Sequence, residues 1–70
     1  MGEEYYEEIK AREKKHIDIP EDFTYEIIAS KSQENKLKRQ PLGKTPFGKF
    51  RYEFKNNNDS PITIKIFRTK

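Results

Sequence analysis

The sequence contains no cysteine, no tryptophan and no valine, and it has one histidine and three glycines. Without cysteine there is no disulfide framework and no thiolate metal site. The lone histidine, His16, reads as an ordinary surface or half-buried side chain, and no serine sits in a nucleophile-elbow setting, so the usual acid–base and covalent catalytic sets have no members to build from. Gly43-Lys44-Thr45 lacks the upstream glycine that a phosphate-cradling loop requires. No apolar run is long enough for a signal peptide or a membrane span, so no membrane partner and a cytoplasmic address are expected. The chain therefore reads as non-enzymatic, with no cofactor and no metal. A metal-independent ribonuclease built from Lys and Arg, whose sites have no fixed spacing, stays as a minor alternative.

What the sequence does have is charge sorted by position. Up to Ser30 there are nine acids against four bases, a balance of −5; from Lys31 onward eleven bases face three acids, a balance of +8. Such asymmetry bears on partners and on attraction to polyanions, not on fold. Seventy residues make one small domain with a narrow stability margin. At 31% hydrophobic and 39% charged, some segments are expected to order only on a partner, and homodimerisation would help. The apolar set is biased toward Ile, Phe and Tyr, which suits strands.

The predicted architecture is α+β. Residues 1–16 are expected to hold a helix running from acidic to basic, since Glu3, Glu4, Glu7 and Glu8 fill its first turns and Lys10, Arg12, Lys14 and Lys15 its last, each placement stabilising by roughly 0.3 to 1 kcal/mol. The glutamate cluster could hold a hard cation but reads as a solvated helix start. Residues 17–30 carry short strands, with Phe23, Tyr25 and Ile27 on one face; a helix opened by Pro20 is the competing reading there. Residues 31–48 read as a basic loop, punctuated by Pro41, Gly43, Pro46 and Gly48. Residues 49–70 read as a β-hairpin in which Phe54 pairs with Ile62, Tyr52 with Ile64 and Phe50 with Ile66, closing a small antiparallel sheet of three or four strands.

Lys15-His16-Ile17-Asp18-Ile19-Pro20-Glu21-Asp22-Phe23 resembles the opening of a ribbon-helix-helix repressor over nine residues. The second helix of that family would fall on Lys36 to Gly48, where two prolines and two glycines forbid it, so the family is not adopted.

The function expected from these features is a non-catalytic binding module or regulator that engages nucleic acid. Lys36, Lys38, Arg39 and Lys44 in the basic loop would neutralise phosphates. The hairpin's outer face would add Phe47, Lys49, Arg51, Lys55, Lys65 and Phe67, two aromatics among bases on which single-stranded bases could stack. The competing structural reading covers Phe47 and Phe67 with the amino-terminal helix. The alternative function is a small inhibitor or adaptor, of the kind mobile elements encode, that docks on a larger host protein through its acidic helix or a sheet edge.

Overall fold

The computed structural model describes residues 3–69, and in it the alternating apolar positions form two three-stranded antiparallel sheets. The first sheet runs β1 (Glu4–Ile9), β6 (Ile62–Arg68), β3 (Phe23–Ile28), and the second runs β2 (Lys14–Pro20), β5 (Lys49–Asn56), β4 (Leu37–Lys44). One short helix, α1 (Lys31–Asn35), links β3 to β4. The chain changes sheet at every connection except β4 to β5, which is a hairpin.

The two inner faces make the core. Ile9, Ile62, Ile64 and Ile66 from the first sheet pack against Ile17, Ile19, Leu37 and Phe54 from the second. Tyr25 of β3 spans the gap, its ring meeting Tyr52 edge-on at 5.3 Å and Phe54 at 5.5 Å. At the margin of the gap Lys15 of β2 reaches Glu7 of β1 at 3.2 Å and donates to the Glu8 carbonyl at 3.0 Å.

This arrangement overturns the α+β expectation. From residue 3 onward the amino-terminal segment holds no helix: its described residues build β1, a turn at residues 10–13 with Arg12 in the left-handed region, and the start of β2. Burying Ile9 completely is worth roughly 1.5 to 3 kcal/mol, more than any single charge–dipole placement in an exposed helix. The strand also pairs along one whole edge of β6, from Glu4 opposite Phe67 to Ile9 opposite Ile62.

The carboxyl-terminal pairing is corrected too. β5 and β6 both exist, but they lie in different sheets: Phe54 stands between Lys15 and Arg39, and Ile62 opposite Ile9. The segment between them is held by a buried Asn56, whose amide donates to the carbonyls of Ile9 (3.0 Å), Lys10 (3.1 Å) and Ser60 (2.9 Å). Its Oδ1 accepts from the backbone N–H and the amide of Asn58, each at 2.9 Å, and the same Asn58 amide donates to the Gln33 carbonyl. These bonds lift the chain from one sheet to the other instead of folding it back.

The basic loop is likewise structured. Ser30 caps α1 reciprocally with Gln33 in a capping box. β4 follows as an edge strand, where Pro41 is tolerated and the register shifts between Pro41 and Gly43. Gly43 at φ 101° and Gly48 at φ 78° occupy conformations that favour glycine, so these residues mark a bulge and a turn within paired structure.

Candidate nucleic-acid interface

Because Ile17, Leu37 and Phe54 point into the sandwich, their neighbours in sequence point out of the second sheet. The register then places Lys14, Lys55 and Lys38 directly opposite one another across β2, β5 and β4. The next row is His16, Glu53 and Gln40, and beyond it Asp18 faces Arg51; Lys49, opposite Pro20, ends the line along β5. A shallow hollow of ≈ 400 Å³ opens over the lysine row, lined by Lys14, Lys38, Arg39, Gln40, Glu53 and Lys55.

Like charges directly opposite one another destabilise a sheet. Here little offsets them. Lys55 Nζ donates to the Arg12 carbonyl at 2.6 Å, which positions the ammonium but leaves its charge in place. Lys14 Nζ lies 4.0 Å from Glu53 Oε2, and Lys38 makes no ion pair among the described residues. Glu53 itself is shared, its other oxygen lying 2.9 Å from His16 Nε2. That hydrogen bond holds the Glu53 carboxyl below its ordinary value, with Lys14 and the His16 charge adding to the effect. Further along, Asp18 accepts two bonds from the Arg51 guanidinium, at 2.8 and 3.0 Å, which lower the carboxyl's pKa and raise that of the arginine.

The residues expected from sequence are divided by this geometry. Lys38, Lys49 and Arg51 share the outer face of the second sheet. Lys65 and Phe67 lie on the far side of the molecule, on the outer face of the first sheet. There Lys65 stands between Tyr6 and Glu26, with Glu4 at 3.9 Å and the Phe67 ring centroid 5.4 Å from its ammonium. Arg39 and Lys44 fall on the inward side of β4, beyond the cover of the first sheet; both are exposed, Arg39 is 4.0 Å from Glu34, and Lys44 pairs with Glu21. Lys36 caps the end of α1 and is exposed. Phe47 sits at the tip of the β4–β5 hairpin, 88% exposed, so neither the amino-terminal segment nor Phe67 covers it.

Lys14 and His16 are the members of the face that the helix reading missed. Their signal was the strict alternation of Lys14, His16 and Asp18 against Lys15, Ile17 and Ile19. Among the described residues no cluster of His, Cys, Asp or Glu has the makings of a metal site, and no helix is long and apolar enough to cross a membrane. No protein-family model, curated protein or solved structure matches the chain.

Proposed function

We propose that the protein is a non-catalytic module that binds nucleic acid through the outer face of its second sheet. The observation that carries this reading is the row of Lys14, Lys55 and Lys38, three lysines in register whose repulsion is only partly offset by the Lys55 bond to the Arg12 carbonyl and the Lys14–Glu53 contact. Local conflicts of this kind are expected where a surface serves a ligand. A phosphate backbone laid across the strands would replace lysine–lysine repulsion with ion pairs and release counterions. Arg51 and Lys49 extend the same charge along β5. Asp18 and Glu53 limit it, and so keep attraction to polyanions moderate.

Anisotropy titrations of labelled DNA and RNA oligonucleotides at about 50 and 200 mM salt test the reading, since a surface with several phosphate contacts loses affinity steeply over that interval. Binding at the lower salt that collapses at the higher is the expected result. No binding at the lower salt would end the nucleic-acid reading.

A second reading, docking on a host protein, is favoured by a different observation: Leu42, Phe47 and Phe50 are exposed large apolar side chains on or beside the β4–β5 hairpin. Apolar docking there would be nearly indifferent to salt, which separates the two readings.

A further inference from the structure

We infer that the β4–β5 hairpin tip is a base-stacking subsite, which makes the ligand a single strand rather than a duplex; the inference rests on the nucleic-acid reading of the adjoining sheet face. A second hollow of ≈ 210 Å³ lies at the tip, lined by Leu42, Gly43, Lys44, Thr45, Pro46, Phe47 and Arg51. Arg51 joins it to the basic face, where that side chain lies in line with Glu53 and Lys55 along β5. From Lys55 to Lys49 the strand covers roughly 20 Å at ordinary rise, so a strand held on the lysine row at one end would reach the tip at the other.

The tip is built to present its ring. Thr45 N–H donates to the Lys49 carbonyl at 2.7 Å, Gly48 N–H donates to the Thr45 carbonyl at 3.1 Å, and Thr45 Oγ1 accepts from the N–H groups of Phe47 and Lys49 at 3.3 Å. Pro46 fixes its own φ, and Gly48 takes the left-handed conformation that closes the turn. An exposed phenyl on so constrained a turn forfeits little entropy when it meets a partner. Two features of the surroundings favour a base as that partner. The first is continuity with the basic face: the Arg51 side chain lines the hollow, while its guanidinium is held by both Asp18 oxygens on the β2 side. The second is Lys49, two residues from the ring, which makes no ion pair among the described residues, whereas Lys44 and Arg51 are paired with Glu21 and Asp18; that ammonium suits a base attached to a phosphate.

A duplex hides its bases from such a ring, whereas an unpaired strand offers a face at every nucleotide. The test compares a labelled oligothymidylate of about twelve nucleotides with a duplex of matched length, using the parent, Phe47→Ala and Phe47→Leu; the length suits a small stacking surface. The single strand should bind more tightly. Phe47→Ala should weaken it by about 5- to 150-fold, and Phe47→Leu, which keeps apolar bulk but loses the π face, should also weaken it, with duplex affinity little changed. Phe47 is almost fully exposed, so thermal denaturation should show both variants folded as the parent is. Fluorescence of a 2-aminopurine placed in the strand should be quenched by the parent and not by Phe47→Ala. Equal affinity for duplex and single strand, or a Phe47→Leu variant that binds like the parent, would overturn the stacking site while leaving the lysine face intact. Failure of both nucleic acids to bind at low salt would overturn the stacking site and the lysine face together.

Discussion

Lys55 stands directly opposite Lys14 in the β2–β5 ladder, with Lys38 on its other flank. Opposed like charges cost a sheet on the order of a few tenths to 1 kcal/mol. Lys14→Thr and Lys38→Thr should therefore each stabilise the fold slightly, by up to about 1 kcal/mol in urea denaturation, because threonine also suits a strand. The same variants should lower oligonucleotide affinity and flatten the salt slope by roughly one contact each. A surface that exists only for solubility would show the first effect without the second.

Glu53 moderates the basic face, since it is the acid nearest both Lys14 and His16. Glu53→Gln should tighten oligonucleotide binding in the same anisotropy titration and lower the melting temperature slightly at neutral pH, because the amide gives up the carboxylate's interactions with His16 and Lys14.

Acid should weaken the fold through the carboxylates of that face. Asp18 and Glu53 both have folded pKa values below their ordinary ones, so each contributes stability that is present above the unfolded value, near pH 4, and is lost as pH falls through the folded value. Denaturation midpoints followed from pH 6 down to about pH 2 should decline most steeply below about pH 4, and Asp18→Asn should make that decline shallower.

Asn56 holds both the end of β1 and the crossover between the sheets. Asn56→Leu would leave the carbonyls of Ile9 and Lys10 short of a donor in a buried site, and should cost about 2 to 4 kcal/mol by chemical denaturation. Asn56→Asp should be at least as damaging, because it sets a carboxylate against those same carbonyls.

Removing β1 should also unfold the chain, in contrast to the loss of a dispensable terminal helix. Ile9→Ala should cost about 2 to 5 kcal/mol, as large-to-small changes in cores do. A variant lacking residues 1–12 should lose dispersion in its amide NMR spectrum.

The alternation of Ile62, Ile64 and Ile66, and of Phe50, Tyr52 and Phe54, was legible because period two marks a half-buried strand. Their partners were not legible. Alternation states which face is buried, and in a two-sheet sandwich the same apolar sets can meet across the gap as readily as along one sheet. β1 was hidden because Glu7 occupies an inward position, opposite Ile64, where an apolar residue would have revealed the period; its carboxylate is accommodated by Lys15 at the open margin. β4 was hidden by Pro41 and Gly43, which an edge strand with a bulge can carry. Of the basic face, Lys38, Lys49, Arg51 and Lys55 could be read from sequence, whereas Lys14 joined them only once β2 had its partner.

The most direct test maps the contact surface: an amide and lysine-ammonium NMR titration of the intact chain with a short single-stranded oligonucleotide at about 50 mM salt, a condition that preserves multi-phosphate contacts. The expected result is a set of shifts confined to Lys14, Lys38, Lys55, Arg51 and their strand neighbours, continuing to the hairpin tip at Phe47 and absent from Lys65 and Phe67. Shifts centred on the outer face of the first sheet, or no shifts at all, would contradict an interface on the second.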